Sequence, residues 1–178
     1  MSISIFRVNC TACSFEGLAR VGPSDSHYQL PDGMEATVSQ APAWCTSCAA
    51  VVDAEIIPDL NSLEQELREL EHGGPRRDTL LKDAAGFTDP DLILKFTVDS
   101  LRATLKWRRI RTSPPHCLTC GSLQVTHVPW NGATTPMQMP HPSCEGNLEF
   151  TLYARGVPAG KVYSTEGERL FLEEPQNP

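Results

Sequence analysis

Eight side chains of this sequence form four pairs, and in every pair two intervening residues separate the two members. Three pairs are Cys-x-x-Cys and the fourth is His-x-x-Cys: Cys10 and Cys13, Cys45 and Cys48, Cys117 and Cys120, His141 and Cys144. The pairs use all seven cysteines of the chain. Each pair spans a tight turn of four residues. Two such turns that face each other complete the tetrahedral shell of four donors that structural zinc prefers. The spacing therefore predicts two Zn²⁺ ions per chain, one bound by four cysteines and one by three cysteines and a histidine.

The order of the turns along the chain suggests how they combine. It places the first two pairs at one zinc and the last two at the other: Cys10, Cys13, Cys45 and Cys48, then Cys117, Cys120, His141 and Cys144. Turns that are neighbours in sequence usually meet first, although another combination, such as the first turn with the third, stays open. Gly121 and Gly146 follow two of the turns, where a residue with positive φ is often needed. The turns of the first predicted site are followed by Ser14 and Ala49 instead.

Other uses of these side chains are less favoured. The first residues have neither a basic start nor an apolar run, so we expect no secretory signal and a cytoplasmic location, where stable disulfides are rare. A redox Cys-x-x-Cys motif usually occurs once, at a strand–helix junction. The three Cys-x-x-Cys pairs of this chain therefore disfavour a redox role. His141 as a plain surface residue would leave a site of three thiolates. His116 is the reserve ligand, but its adjacency to Cys117 makes it hard for both to reach one metal.

We expect the metal to be structural and the chain not to be an enzyme. A shell of four protein donors has no open position for water, whereas catalytic zinc keeps one. The sequence also lacks the His-Glu-x-x-His and Gly-x-Ser-x-Gly motifs and a Gly-rich phosphate loop.

Short strands are predicted on both sides of a helical middle. Residues 28–30 and 34–39 read as a hairpin around the turn 31–33. The alternation of Leu148, Phe150 and Leu152 predicts a half-buried strand, and residues 162–163 and 170–172 predict a terminal hairpin that extends the β structure around the second predicted zinc site.

The middle of the chain is predicted to form three helices. The first begins near Asn61 or Ser62, with a capping box between Ser62 and Gln65, and ends at Gly73. The second covers residues 78–85. The third has Asp89 as its N-cap and runs from residue 90 to about 110.

The four turns and the hairpins between them resemble the zinc-ribbon superfamily, in which two turns from neighbouring hairpins hold one zinc. The resemblance covers roughly residues 10–50 and 115–155, and the ligand spacing is the specific part of it. It implies an α+β chain with two zinc-ribbon-like β segments, 1–58 and 113–178, which flank the helical middle 59–112. The terminal β-hairpin belongs to the second segment.

Charge gives a further guide to partners. The formal net charge is −7, which disfavours long-range attraction to nucleic acid. One basic cluster stands out around Trp107: Arg102, Lys106, Arg108, Arg109 and Arg111. It predicts a small anion-binding patch, a solvated face at a helix C-terminus, or a face that docks on the acidic first helix, where Glu64, Glu66, Glu69 and Glu71 cluster. No apolar run approaches the roughly 18 residues of a membrane helix.

Two function classes follow from these features. The first is a non-catalytic zinc-binding module for protein–protein interaction. Its acidic surface suits a basic partner, as in small inhibitor or immunity proteins. The alternative is nucleic-acid binding through the ribbons and the basic end of the third helix.

Overall fold

The computed structural model describes residues 3–22, 25–86, 89–129, 137–156 and 160–170. Within these residues the chain is a mixed α+β fold. The strands are Ile3–Cys10 (β1), Glu16–Val21 (β2), His27–Gln29 (β3), Glu35–Thr37 (β4), Gln40–Cys45 (β5), Ala50–Glu55 (β6), Val125–His127 (β7), Met137–Pro140 (β8), Asn147–Gly156 (β9), Val162–Tyr163 (β10) and Arg169–Leu170 (β11). The helices are Leu60–His72 (α1), Pro75–Ala84 (α2) and Pro90–Ile110 (α3).

The described strands form three sheets, and each sheet contains strands from before and after the helical middle. The first has the order β2-β1-β9-β8, the second β11-β10-β3-β4 and the third β6-β5-β7. The α+β class is confirmed, but the predicted arrangement of two zinc-ribbon-like segments on either side of the helices is not confirmed, because strands before and after the helices pair with one another.

The predicted hairpins are present, with one change of position. β3 and β4 pair as predicted, and β10 pairs with β11. However, β10 continues the second sheet by pairing in parallel with β3, with Val162 opposite His27. The expectation that the terminal hairpin extends the second zinc-ribbon-like segment is therefore wrong, because β10 and β11 lie in a different sheet from β9. Residues 171 and 172 of that predicted hairpin lie outside the described residues.

The first and third sheets face each other across one apolar core. β1 and β9 run antiparallel over the whole of β1, and alternate side chains of both strands point inward because successive residues of a strand face opposite sides. The third sheet contributes Trp44 and Val51 to the same core. The buried members are Phe6, Val8, Ala19, Trp44, Val51, Val128, Met139, Leu148 and Phe150.

A second core lies between the second sheet and α3. The rings of Tyr28 and Trp107 stack with their centroids 4.3 Å apart and an interplanar angle of 10°. Leu118, which lies inside the third Cys-x-x-Cys turn, is also buried there. This core therefore connects the helices to one of the cysteine turns.

Local sequence cues determine the helix starts. α3 begins as predicted, and the Asp89 carboxylate accepts a hydrogen bond from Leu92 N at 3.0 Å. α1 begins at Leu60 because Asp59 accepts from the backbone of Ser62 at 2.8 Å. The predicted capping box at Ser62 is therefore wrong, since the N-cap, Asp59, lies three residues earlier.

The second helix begins three residues earlier than predicted. Pro75 takes the first helical position, where its fixed φ is favourable and its missing N–H costs nothing. No helix in the described parts of the chain is long and apolar enough to cross a membrane.

Candidate metal centres

The structure collects the four turns into two groups, each with four donor atoms that lie within 4.8 Å of one another. One group, which we call the outer centre, consists of Cys10, Cys13, His141 and Cys144. The other, the inner centre, consists of Cys45, Cys48, Cys117 and Cys120. All eight predicted side chains are thus included, and the two donor sets have the predicted compositions. The predicted combination by sequence order is wrong, because the first turn meets the fourth and the second meets the third.

Strand pairing explains the outer centre. Cys10 is the last residue of β1, and it lies opposite Leu148 near the start of β9. The turn that joins β8 to β9 carries His141 and Cys144, so it meets the end of β1. Reciprocal hydrogen bonds hold the two turns together: Thr11 N donates to Asn147 O at 2.9 Å, and Asn147 N donates to Thr11 Oγ1 at 2.9 Å.

The inner centre has the same construction in the third sheet. Cys45 ends β5 and lies opposite Val125 in β7, so the turn that precedes β7 meets the turn between β5 and β6. Thr46 N donates to Gln124 O at 3.1 Å, and Ser47 Oγ donates to Ser122 Oγ at 2.9 Å. In both centres, therefore, long-range strand register brings the cysteine turns together.

Donor distances in the outer centre suit one ion. The Sγ atoms of Cys10 and Cys144 are 3.4 Å apart, and His141 Nδ1 lies 3.5 Å from Cys13 Sγ and 3.0 Å from Cys144 Sγ. A tetrahedron with Zn–S bonds of about 2.3 Å has edges of about 3.8 Å. The donors are therefore spaced nearly as the shell of one small cation requires.

Backbone N–H groups of the outer centre point at its sulfur atoms. Ala12 N donates to Cys10 Sγ and Gly146 N donates to Cys144 Sγ, each at 3.4 Å. Gly146 does not have the positive φ that its position suggests. Instead, a Cβ at Gly146 would lie 2.7 Å from Cys10 Sγ and 2.7 Å from Ala12 Cβ, so glycine is required because the two turns approach closely.

The inner centre has similar spacing and a different backbone requirement. Cys45 Sγ lies 3.6 Å from Cys120 Sγ, and Cys48 Sγ lies 3.9 Å from Cys117 Sγ. Gly121 has φ of 74°, as predicted for its turn. Ala49, at the equivalent position after Cys48, has φ of 47° and is the one non-glycine residue with positive φ in the described part of the chain.

The cysteines are thiols or thiolates rather than disulfides. All seven are free, and their Sγ separations of 3.4, 3.6 and 3.9 Å exceed the S–S bond of about 2.05 Å.

In each centre, the pKa values of two thiols are shifted in opposite directions. The Ala12 N–H lowers the pKa of Cys10 to about 6, while burial and the neighbouring Cys10 and Cys13 thiols raise the pKa of Cys144 against the effect of the Gly146 N–H. The Ser122 N–H lowers the pKa of Cys120 to about 7, whereas burial raises the pKa of Cys48. A dication neutralises the accumulated negative charge and allows all thiolates to form. Both centres therefore fit a bound metal ion.

His141 is held by aromatic side chains of the first core. Its ring is buried and lies edge-on to Trp44 with a centroid distance of 4.6 Å, and Phe15 lies 5.4 Å away. Nδ1 faces the cysteines, while Nε2 and Trp44 Nε1 are buried without a hydrogen-bond partner in the described part of the chain. The position contradicts the alternative that His141 is a plain surface residue.

His116, the reserve ligand, has a different role. It is buried, and its Nδ1 lies 3.2 Å from Glu55 Oε2 while its Nε2 lies 3.1 Å from Gly167 O. Arg111 Nη2 donates to the same Glu55 oxygen at 2.6 Å, and both side chains of this ion pair have no exposed surface. Tyr28 OH donates to Glu55 Oε1 at 2.8 Å. The sequence reasoning missed this buried polar network, because no spacing rule links Glu55 to Arg111.

Most of the basic cluster on α3 contacts carboxylates of the same chain. Arg102 pairs with Glu71 at 2.7 Å and Arg109 with Glu64 at 2.8 Å, as docking on the acidic first helix predicts. The other contacts are Lys106 with Asp32, Arg108 with Pro58 O, and Arg111 with Glu55. Anion binding at this cluster stays a prediction, and these internal partners compete with it.

The fold and the donor sets together define the class of protein. It is an α+β chain whose sheets combine strands from before and after the helices and carry two centres able to hold metal ions. A search of family models, of curated proteins and of solved structures finds no match to this chain.

Proposed function

We propose that the chain is a non-catalytic module for protein–protein interaction. Two structural Zn²⁺ ions hold together its sheets, which combine strands from before and after the helices. The observation that carries this proposal is the presence of four protein donors, mostly sulfur, in each centre. Thiolate and imidazole donors suit zinc, and four of them leave no position for a catalytic water. The Zn²⁺ ions would be held by Cys10, Cys13, His141 and Cys144, and by Cys45, Cys48, Cys117 and Cys120.

An exposed part of the first sheet supports the interaction role. Arg7 lies over the ring of Tyr153, 4.9 Å from the centroid, and its neighbour across the strands is Leu18. Leu18 is 55% exposed and Tyr153 is 59% exposed. Arginine and tyrosine are enriched among the residues that contribute most to protein interfaces. We call Arg7, Leu18 and Tyr153 the Arg7 patch. The net charge of −7 favours a basic partner at long range.

Metal analysis tests the structural part of the proposal. Protein purified without added metal should contain close to two zinc ions per chain, and removal by a strong chelator should unfold the first and third sheets, which circular dichroism would record. Recovery of metal-free protein with an unchanged spectrum would contradict it.

Affinity capture tests the interaction part. Zinc-loaded wild type, Leu18→Ser/Tyr153→Ser and the matched control Phe96→Ser, whose ring is 66% exposed on α3, would each be used with lysate of the native host. We expect a protein retained by wild type and by the control but lost with the Arg7 patch variant. Equal recovery by all three would exclude this patch as the interface.

The nucleic-acid alternative requires a different result. Because the cluster on α3 is paired with carboxylates, we expect no binding to DNA or RNA tighter than the weak nonspecific range of roughly 10⁻⁴–10⁻⁶ M at physiological salt. Submicromolar binding in fluorescence anisotropy that Lys106→Glu removes would favour the alternative.

A further inference from the structure

A cleft of about 620 Å³ opens between the edge strand β2 and the strands of the third sheet. Its volume lies within the roughly 300–1,000 Å³ of small-molecule sites. The walls are mainly apolar and include Val21, Ala41, Pro42, Ile56, Ile57 and Val128. The cleft is separate from both metal centres, because none of the eight metal-binding side chains lines it.

Two acidic residues line the cleft, Asp53 and Glu55. The Glu55 carboxylate already binds Arg111 and Tyr28, so Asp53 is the acidic side chain left for a ligand. Asp53 lies opposite Pro42, two positions from the Trp44–Val51 pair. Because side chains two positions apart share a face, Asp53 lies on the face that carries Trp44 and Val51 into the first core. Asp53 O accepts from Leu118 N at 3.0 Å, which fixes the backbone that carries the carboxylate.

The Asp53 carboxylate interacts with the charges of Lys161 and Arg20 but, within the described residues, forms no hydrogen bond and no ion pair at contact distance. Burial raises the pKa of Asp53, although the charges of Lys161 and Arg20 act in the opposite direction. A half-buried carboxylate in this condition gains from a cation that enters the cleft, since an opposite charge offsets the cost of removing it from water.

The other polar side chains occupy different depths. Gln40 is half-buried, whereas Arg20 and His127 are exposed and lie at the rim. None of the three donates or accepts a side-chain hydrogen bond in the described ranges. A ligand that enters the cleft therefore passes Arg20 and His127 at the rim and then reaches the apolar walls and the half-buried Asp53 carboxylate.

We propose that this cleft is a binding site for a small organic amine with an apolar body, whose protonated nitrogen contacts the Asp53 carboxylate. The apolar part of the ligand packs against Val21, Pro42 and Val128. The ligand is either a simple amine or an amino-acid-like zwitterion. The carboxylate of a zwitterion would reach Arg20 at the rim. This site does not depend on the interaction role proposed for the Arg7 patch.

Three probes with the same phenyl body test the proposal on the zinc-loaded full chain: phenethylamine, phenylalanine and 3-phenylpropionate. Amide chemical shifts would be followed by NMR during each titration. We expect phenethylamine to shift the amides of residues 20–22, 40–41 and 53 with a Kd on the order of 1 mM or tighter, and phenylpropionate to bind much more weakly. No shift in the cleft with phenethylamine, or equal binding of phenylpropionate, would overturn the proposal.

A charge-removing variant and a matched control complete the test. Asp53→Asn should weaken phenethylamine binding about tenfold or more, because the acceptor of the ammonium hydrogen bond loses its negative charge. Asp83→Asn, on the exposed side of α2, removes the same charge away from the cleft and should leave the Kd unchanged. An unchanged Kd in Asp53→Asn would overturn the proposal, and the probe comparison on wild type holds independently of how this variant folds.

Phenylalanine distinguishes the two sources of the amine. Binding tighter than that of phenethylamine, and reduced to the phenethylamine value by Arg20→Ala, would support an amino-acid-like ligand. Binding equal to or weaker than that of phenethylamine would support a simple amine.

Discussion

Cys10 and Cys144 lie 134 residues apart in the chain, yet their Sγ atoms are 3.4 Å apart in the outer centre. The inner centre closes a shorter loop, in which Cys45 and Cys120 are 75 residues apart. The loop of the inner centre therefore lies inside that of the outer centre. A metal ion bound in the outer centre would tie β1 to the turn before β9, and an ion in either centre would stabilise the fold by closing a long loop.

The first prediction concerns the close approach at Gly146. Gly146→Ala should disrupt the outer centre, because the new Cβ would lie 2.7 Å from Cys10 Sγ. We expect the zinc content to fall from two ions toward one per chain. The control is Gly86→Ala, where a Cβ meets nothing within 4 Å, and it should retain two. Two tightly held ions in Gly146→Ala would show that the turns are not in contact.

The second prediction concerns the backbone at Ala49. Its φ of 47° is a left-handed conformation that costs an L-residue roughly 1–2 kcal/mol, and glycine avoids this cost but loses about 0.5–1 kcal/mol in chain entropy. Ala49→Gly should therefore stabilise the zinc-loaded protein by about 0.5 kcal/mol in thermal unfolding. Ala85→Gly, at an ordinary φ of −61°, should destabilise it instead. The same sign for both variants would contradict the assigned conformation.

The third prediction concerns the buried ion pair. Glu55→Gln removes the buried carboxylate from the Arg111 guanidinium, which has no exposed side-chain surface and keeps as its carboxylate partner only the partly exposed Glu166, at a longer distance of 3.7 Å. Breaking one partner of a buried pair costs about 3–5 kcal/mol, and unfolding monitored by tryptophan fluorescence would measure it.

A surface ion pair between α1 and α3 provides the comparison for Glu55→Gln. Glu71 pairs with Arg102, whose side chain is 55% exposed, and such pairs contribute about 0–1 kcal/mol. Glu71→Gln should therefore have a small effect. Similar losses for the two variants would show that the Glu55–Arg111 pair is open to water.

Features with local causes could be predicted from the sequence. Asp89 and Pro90 are adjacent helix-start signals, and α3 begins where they place it. The cysteine turns are four-residue units, so their spacing shows the donors without any knowledge of the fold. Asp59 was missed as the cap of α1 because Ser62 is an equally good capping residue, and only the backbone conformation separates the two.

Features that depend on distant strands could not be predicted in this way. Which turns share a centre is decided by the pairing of β1 with β9 and of β5 with β7, and a two-residue spacing contains no information about that register. The requirement for glycine at residue 146 likewise comes from Cys10 on a distant strand. Glu55 and Arg111 are 56 residues apart, and the sequence alone places Arg111 in the basic cluster around Trp107.

The combination of turns is tested most directly by ¹¹³Cd NMR of cadmium-substituted wild type and Cys10→Ser. Wild type should give two resonances, since an all-sulfur site and a site with one nitrogen differ in chemical shift. In the structure Cys10 shares a centre with His141, so Cys10→Ser should remove the resonance of the nitrogen-containing site and leave the all-sulfur resonance of Cys45, Cys48, Cys117 and Cys120. Loss of the all-sulfur resonance with survival of the other would show that the turns combine in sequence order and would contradict the account.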